Sequence, residues 1–267
     1  RATEGPGHAE RLAREAVAEG CELMVAAGGD GTLNEVVNGL APDFAGVRLG
    51  LLPLGTGNDF ARSIGVPADL DGALAVLAAG RTAAVDVGRV TAGDARWFVN
   101  VSAGGFSGLV DEKLDRAKKR AWGPLSYLRS AVEALPELAP YHTTIRLDGG
   151  ETLELSAYSV VVANGRYVAG GIPVAPEARL DDGLFDLMVV PQASVPQLAV
   201  LLPLVLLGRH HASELVLFRR TAALEIRSVP PMWFNADGEL LGEEPARFEL
   251  LPRALQVVVG EGAVAIS

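Results

Sequence analysis

The chain has 267 residues, 49% of them hydrophobic, and a net charge of −10 from 23 Lys and Arg against 33 Asp and Glu. This length and hydrophobic content predict one large domain or two small ones with a packed core, which excludes a disordered chain. The acidic balance excludes a broad nucleic-acid-binding face, because such a face needs basic residues to neutralise phosphates. The single cysteine, Cys21, excludes an internal disulfide and a zinc site made of thiolates.

Helical and strand-like patterns alternate in the first third of the chain. The predicted elements are helices at residues 8–19, 32–40 and 69–79 with a short helix ending at Ile64, and strands at residues 22–27 and 48–52. Thr32 and Glu35 have the spacing of a capping box, which places the start of the second helix at Thr32. The alternation predicts a three-layer α/β domain with a parallel sheet.

Strand patterns dominate from about residue 82 onward. The predicted strands are residues 84–90, 97–101, 143–147, 152–163, 184–190, 215–219, 223–227, 247–251 and 256–259, and helices are predicted at residues 111–135 and 195–207. This pattern predicts a β-rich second domain, either a sandwich or a barrel.

The change of pattern divides the chain. We assign residues 1–86 to the α/β domain, residues 87–251 to the β-rich domain, and residues 252–267 to a C-terminal segment that returns to the first domain. No long linker separates the domains, so we expect a shared interface with a cleft. The longest apolar run, residues 198–207, has ten residues, whereas crossing a bilayer takes about 20. We therefore expect a cytoplasmic protein that can still contact a membrane surface.

Two glycine-rich turns follow the first two predicted strands. Residues 28–31 read Gly-Gly-Asp-Gly, and residues 53–59 read Pro-Leu-Gly-Thr-Gly-Asn-Asp. Such turns at the carboxyl ends of neighbouring parallel strands place amide-lined concavities side by side, and the following helix attracts phosphate. The alternative is a pair of ordinary strand-to-helix turns, in which helix capping explains one of Asn58 and Asp59 but not obviously both.

Neither turn matches a standard nucleotide motif. The only lysines are Lys113, Lys118 and Lys119, so no lysine of the first domain can hold a phosphate as in a Walker A loop. Backbone amides, hydroxyl groups and arginine would have to do so. The first turn also lacks the full G-x-G-x-x-G pattern, which argues against an NAD-dependent dehydrogenase.

Two acidic turns lie in the second domain. Asp237 and Glu239 flank a glycine in the segment Asn-Ala-Asp-Gly-Glu at residues 235–239. One interpretation is an ordinary hairpin turn. The other is that one of these carboxylates lies near the acceptor hydroxyl, as phosphoryl transfer to a hydroxyl requires. Asp182, in the turn at residues 181–183, is either exposed or a ligand for a hard cation such as Mg²⁺.

Four blocks resemble the signature blocks of the diacylglycerol kinase catalytic-domain family, whose relatives include soluble bacterial lipid kinases, sphingosine kinases and ceramide kinases. The blocks, in family order, are GGDGTLNEVVNGL at residues 28–40, PLGTGNDFAR at 53–62, APEARLDDGLFDL at 175–187 and NADGE at 235–239. The resemblance implies an NAD-kinase-like, ATP-binding α/β domain and a β-sandwich-type lipid-binding domain, with the active site between them.

The resemblance also implies a reaction: transfer of the γ-phosphoryl group of ATP, with Mg²⁺, to a lipid hydroxyl, converting diacylglycerol to phosphatidic acid. The nucleotide-binding residues it implies, together with those of the second turn, are Thr3, Gly28, Gly29, Asp30, Gly31, Thr32, Leu33, Asn34, Gly55, Thr56, Gly57, Asn58 and Asp59. Asp30 would lie near the phosphates and the catalytic metal, and Asp237 or Glu239 would accept the hydroxyl proton.

The same resemblance matches Asp182, with the main-chain carbonyls of Arg179 and Leu184, to a structural Mg²⁺ site. One departure is evident: family members begin with a strand–helix–strand unit that contains Asn-Pro-x-Ser-Gly, and this unit is missing here. Its asparagine normally contributes to the nucleotide site, so we expect that the sequence is truncated.

Other functions stay open at this stage. The alternatives are a kinase of the NAD-kinase type with a soluble substrate, and a non-catalytic lipid- or nucleotide-binding regulatory protein. The expected partner is a lipid presented at a membrane surface, and a homodimer stays open. A basic cluster is consistent with contact to anionic headgroups, but a solvated helix face is the simpler interpretation; its members are Lys113, Arg116, Lys118, Lys119, Arg120 and Arg129.

Overall fold

The computed structural model describes residues 1–44, 46–105, 139–243, 245–263 and 266. The predicted helix at residues 111–135 and the basic cluster within it lie outside the described residues. Within the described ranges, no helix combines the length and hydrophobicity that crossing a bilayer requires.

The first unit is an α/β arrangement. Its elements are helices α1 (His8–Ala18), α2 (Asp30–Leu40), α3 (Asp59–Ser63) and α4 (Leu70–Ala79), and strands β1 (Leu23–Gly28) and β2 (Arg48–Pro53). Strands β1 and β2 pair in parallel. Helix α2 packs against β1 and α4 packs against β2, so the apolar strands are covered by helices, as a parallel sheet requires.

The second unit is almost entirely β-structure. Its elements are β3 (Thr82–Ala92), β4 (Asp94–Phe98), β5 (Val101–Gly105), β6 (Tyr141–Leu147), β7 (Thr152–Ala163), β8 (Tyr167–Val168), β9 (Ile172–Pro173), β10 (Phe185–Pro191), α5 (Val195–Leu206), a 3₁₀ turn (His210–Ala212), β11 (Leu217–Thr221), β12 (Ala223–Val229), β13 (Trp233–Ala236), β14 (Glu239–Glu243) and β15 (Ala246–Val258). The predicted combination of an α/β unit with parallel strands and a β-sandwich-type unit is confirmed.

Strand β15 belongs to both units. Its first residues pair antiparallel with β12, and Gln256 and Val257 near its end pair in parallel with β2. Strand β3 runs beside it from Thr82 to Thr91, with a register shift between Leu251 and Leu255. The two strands expected at residues 247–251 and 256–259 are therefore one irregular strand.

The shift in β15 is fixed by one buried carboxylate. Asp86 on β3 accepts hydrogen bonds from the backbone N–H of Arg253, which has a φ of 51°, and from that of Gly183, both at 2.7 Å. The sequence pattern predicts a break in the strand near Arg253. It cannot show that the Asp86 side chain accepts the hydrogen bond of the displaced Arg253 N–H group.

Two local predictions are wrong. The strand expected at residues 97–101 is interrupted, because β4 ends at Phe98 and β5 begins at Val101. The capping box is also wrong: α2 begins at Asp30, and Glu35 instead accepts hydrogen bonds from Gly7 N and Ala9 N at the start of α1, both at 2.9 Å. Those first N–H groups have no acceptors within their own helix, so a carboxylate from the neighbouring helix satisfies them.

Each of the two units has its own hydrophobic core, and a third cluster of buried residues lies beneath α5. Phe98 stacks on Phe185 with ring centroids 5.7 Å apart inside the sandwich. Helix α5 buries Leu198 and Leu201 against the sheet. Other apolar side chains of this helix and of the residue that follows it are exposed; these are Val195, Val200, Leu206 and Leu207.

Candidate active site

The two glycine turns touch each other. Because β1 and β2 are parallel and in register from Leu23–Arg48 to Gly28–Pro53, both turns leave the same edge of the sheet. A Cβ atom added to Gly29 would lie 3.1 Å from the Cα atom of Gly55, and one added to Gly55 would overlap Gly29 Cα. The approach of the two backbones therefore requires glycine at both positions.

A shallow hollow lies between these turns. It opens to solvent and is lined by residues that include Gly28, Gly29, Asp30 and Asn58. Thr3, Gly31 and Thr56 are exposed, whereas Thr32 lies against Gly28. Asn34 is fully buried and supports the turn from the inside, whereas Leu33, which is almost fully buried, is among the residues that line the hollow.

Asp30 connects the first turn to the second. Its Oδ1 accepts hydrogen bonds from Asp59 N at 2.9 Å and from Phe60 N at 3.4 Å, at the start of α3. Its Oδ2 would lie 2.7 Å from a Cβ atom added to Gly57. The carboxylate thus holds both turns in one arrangement, with one oxygen beside the glycine backbone.

The side chains of Asn58 and Asp59 contact different parts of the fold. Asn58, with a φ of 53°, hydrogen-bonds within its own loop, accepting from Gly55 N and donating to the carbonyls of Gly55 and Pro53. Asp59 reaches the other unit, where its Oδ2 accepts from Gly170 N at 3.0 Å. Its Oδ1 is buried and has no partner among the described residues. Burial raises the pKa of Asp59 to about 6, although the hydrogen bond from Gly170 opposes the shift.

Asp59 is expected to make stability depend on pH. Its pKa of about 6 in the folded state exceeds the value of about 3.9 for an unfolded chain, so the folded state binds more protons between these values. The free energy of unfolding should therefore fall as pH rises from about 4 to about 6, by about 3 kcal/mol for this group, and then level off. Urea unfolding of wild type and D59N across this range measures the difference.

The raised pKa values of Asp186 and Asp237 also make the free energy of unfolding fall with pH. Both groups are present in wild type and in D59N, so the difference between these two proteins reports Asp59 alone. D71N, at an exposed position of α4, is the matched control and should keep the wild-type pH dependence. A D59N protein whose stability changes with pH as steeply as that of wild type would contradict the assignment.

Asp237 lies at the tip of the β13–β14 hairpin, with a φ of 48°. Its carboxylate accepts hydrogen bonds from the backbone N–H groups of Val99, Asn100 and Val101 at 2.9 to 3.1 Å, and from Asn34 Nδ2 at 3.3 Å. Burial raises the pKa of Asp237 to about 6. With each oxygen holding two donors, this side chain supports the β4–β5 turn and has little capacity left for a substrate.

Glu239 follows on the same hairpin and is more accessible, with 37% of its side chain exposed. Its Oε2 accepts from Arg96 Nε at 3.2 Å and from Nη2 at 2.7 Å. Its Oε1 accepts no hydrogen bond from any described residue. Of the two hairpin carboxylates, Glu239 is therefore the one with an oxygen free to accept a proton.

Helix α2 brings the glycine turns and the hairpin together. Asp30 is its first residue, and Asn34, one turn later, donates both to Asp237 and to the carbonyl of Trp97 at 3.0 Å. Asn38, another turn along, bonds both backbone groups of Trp97 at 2.9 and 3.0 Å. The glycine turns and the acidic hairpin thus lie on one side of the molecule, about one helical turn apart along α2.

The acidic turn at residues 181–183 is separate from this site. Asp182 accepts from Leu184 N at 3.1 Å and pairs with Arg220, which also approaches Asp186 at 3.6 Å. Asp186 Oδ2 is buried and accepts no hydrogen bond from any residue in the described ranges, and burial raises the pKa of Asp186 to about 6. Arg179 pairs with Asp181 at 3.2 Å.

The predicted structural Mg²⁺ site in this turn stays a prediction. No group of three or more His, Cys, Asp or Glu side chains suited to a metal occurs in the described ranges. The orphaned oxygen of Asp186 suits a cation, but Arg220 already supplies a positive charge to both Asp182 and Asp186. A cation bound there would compete with that guanidinium.

Sequence reasoning assigned no role to three supporting residues. Asn38 lies inside the first family-like block and Arg96 lies outside all four blocks, and each acts on a segment more than 50 residues away. Asn164 follows the end of β7 and donates to the carbonyls of Asp86 and Val99 at 3.0 and 2.8 Å. Its polar side chain next to a predicted strand end was the only signal available for Asn164.

Comparisons with known proteins identify the family to which both parts of the chain are similar. Residues 1–90 match the diacylglycerol kinase catalytic domain, and residues 100–259 match the YegS C-terminal NAD kinase beta sandwich-like domain. The chain is 35% identical over 256 residues to a diacylglycerol kinase of Staphylococcus aureus (strain bovine RF122 / ET3-1), covering 96% of this chain and 80% of that protein.

Solved structures share the fold. A diacylglycerol kinase from Bacillus anthracis str. Sterne superposes with a TM-score of 0.74 at 24% identity, covering 98% of this chain and 85% of that one. Yeast NADH kinase complexed with NADH gives a TM-score of 0.52 at 15% identity, covering 90% and 62% respectively, which shows a common fold alone. The glycine turns, the acidic hairpin and the similarity along the chain lead to one conclusion: this protein belongs to the diacylglycerol kinase catalytic-domain family.

Proposed function

We propose that the protein is an ATP-dependent lipid kinase that transfers the γ-phosphoryl group to the hydroxyl of diacylglycerol, forming phosphatidic acid. The observation that carries the proposal is the contact of Asn34 with Asp237, because it joins the helix that begins at the glycine turns to the hairpin that carries Glu239. The relative in S. aureus, named a diacylglycerol kinase, supports this choice of lipid.

The glycine turns are suited to the phosphates of ATP. The first N–H groups of α2 have no acceptors within the helix and lie at its positive end. Gly28, Gly29 and Gly31 leave these groups uncovered by side chains, and the first unit contains no lysine. Gly55 N is already bonded to Asn58, so the second turn contributes its shape and the Thr56 hydroxyl.

Two carboxylates on these turns fit a magnesium ion. Mg²⁺ is usually held by one or two carboxylates together with substrate phosphates, and it neutralises charge on those phosphates. Asp30 and Asp59 are in contact through the Asp59 backbone, and the Oδ1 of Asp59 is a buried oxygen that accepts no hydrogen bond from a described residue. These two residues would hold the ion.

Glu239 is the proposed general base. Its free Oε1 accepts the proton of the lipid hydroxyl, while that hydroxyl oxygen bonds to the γ-phosphorus and the bond to the β–γ bridging oxygen breaks, releasing ADP. Asp237, held by four donors, keeps the β4–β5 turn and the hairpin in place. Positioning and electrostatics supply most of the rate in such reactions.

A phosphorylation assay tests the proposal. The full-length protein is incubated with radiolabelled ATP, Mg²⁺ and one acceptor: diacylglycerol, sphingosine or ceramide in mixed micelles, or NAD in solution. We expect labelled phosphatidic acid as the main product. Labelled sphingosine phosphate or ceramide phosphate would retain the lipid kinase but change its substrate, whereas labelled NADP, or no product with any acceptor, would contradict the proposal.

A further inference from the structure

Arg96 joins two carboxylates from different parts of the fold. It lies on β4, and its Nε and Nη2 both donate to Glu239 on β14, whereas its Nη1 donates to Glu10 on α1 at 2.7 Å. The side chains of Arg96 and Glu10 are only 23% and 22% exposed. Solvent therefore screens this network less than an ordinary surface ion pair.

The two donors that reach Glu239 converge on one oxygen. Arg96 Nε and Nη2 contact Oε2 at 3.2 and 2.7 Å, and Oε1 has no hydrogen bond from a described residue. A carboxylate held by a single oxygen cannot rotate freely, yet its second oxygen stays available for a proton. This is the condition that a general base must meet, since proton transfer requires hydrogen-bond reach and a defined direction.

The guanidinium is itself mounted on a well-fixed strand. Arg96 pairs with Val90 across the β3–β4 ladder. The next residue, Trp97, is held by the side chain of Asn38 through both its N–H and its carbonyl group. The third arm, to Glu10, fixes the end of the guanidinium that does not reach Glu239.

We propose that Arg96 is a positioning residue for phosphoryl transfer: it holds one oxygen of Glu239 so that the other faces the reacting lipid hydroxyl. The inference rests on the proposed function and extends it to a residue on a third element. Arg96 itself forms no bond to substrate in this role and transfers no proton.

Kinetics of Arg96 variants of the full-length protein test the inference, with ATP and diacylglycerol in mixed micelles. R96Q should lower kcat by about 10- to 100-fold, the loss typical of a misplaced catalytic group, with the KM for ATP unchanged. R96K keeps the charge but not the fork of parallel donors, so its kcat should lie between those of R96Q and wild type. If R96Q fails to fold, R96K alone decides: a reduced kcat supports the inference and a wild-type kcat overturns it.

Two further variants separate positioning from a general structural role. R219Q removes an arginine of strand β11, which pairs with Glu151 at 2.9 Å, and should keep the wild-type kcat. E10Q weakens the arm to α1, because a neutral amide replaces the carboxylate, but leaves both bonds to Glu239, so its kcat should stay well above that of R96Q. A kcat for E10Q as low as that of R96Q would overturn the inference, because bridging the two units would then be the role of Arg96.

Two other kinetic results for R96Q would also overturn the role of Arg96. A wild-type kcat for R96Q, or an increased KM for ATP with kcat unchanged, would overturn the inference, and the second would assign Arg96 to nucleotide binding. E239Q, measured in parallel, separates the role of Arg96 from the role of Glu239 as the general base. Loss of activity in E239Q but not in R96Q rejects only the role of Arg96, whereas full activity of E239Q rejects Glu239 as the base.

Discussion

E239Q is expected to lower kcat by about 10²- to 10⁴-fold, the usual contribution of a general base. Glutamine has nearly the same shape as glutamate but cannot take up the proton of a lipid hydroxyl. Binding of ATP should stay near wild type, because the glycine turns and Asp30 belong to other elements of the site. Steady-state kinetics with diacylglycerol micelles, together with calorimetric titration of ATP, measure the two effects separately.

The matched control for this variant is E225Q. Glu225 on β12 also pairs with arginine side chains, Arg227 at 2.7 Å and Arg247 at 2.9 Å, but lies away from the hairpin. It should keep the wild-type kcat, which shows that loss of a glutamate–arginine pair does not itself stop the reaction. An E239Q enzyme with wild-type turnover would remove Glu239 from the mechanism.

G55A is expected to weaken ATP binding by about 10- to 100-fold, equivalent to about 1.4 to 2.8 kcal/mol. The added methyl group would overlap Gly29 Cα and lie 2.9 Å from Asn58 Oδ1, so the backbones of both glycine turns must move apart. A shift of the first turn displaces the amide groups at the start of α2. Overpacking of this kind also costs about 1 to 3 kcal/mol of stability.

G149A serves as the control, because a Cβ atom at Gly149 meets no other atom within 4 Å and lies in the β6–β7 turn. It should bind ATP and unfold like wild type. Thermal unfolding followed by circular dichroism shows whether G55A remains folded at the temperature of the titration. Wild-type affinity in a folded G55A protein would show that the contact of the two turns is irrelevant to nucleotide binding.

Local patterns predicted the regular elements well. Strand β7 spans Thr152–Ala163 as expected, and α4 begins at Leu70, one residue after the predicted start, because the Asp69 side chain caps it by accepting from Gly72 N at 2.8 Å. Apolar periodicity and capping chemistry are properties of neighbouring residues. Where those properties determine the structure, the sequence is enough to predict it.

The site was harder to predict because its contacts are remote in sequence. Asp237 lies 203 residues from Asn34 and 138 from Val99, and Arg96 lies 143 from Glu239. The sequence could nominate Asp237 and Glu239 as a pair, but not distinguish them. The distinction depends on which carboxylate the folded chain surrounds with donors, and only the packing of β4, β5 and the hairpin determines that.

Strand β15 limits how the catalytic cleft can work. Because this one strand, which has a register shift between Leu251 and Leu255, is hydrogen-bonded to β12 in one half and to β2 in the other, moving the two units apart would break main-chain hydrogen bonds. We therefore expect the two units to keep nearly the same relative position with and without bound nucleotide.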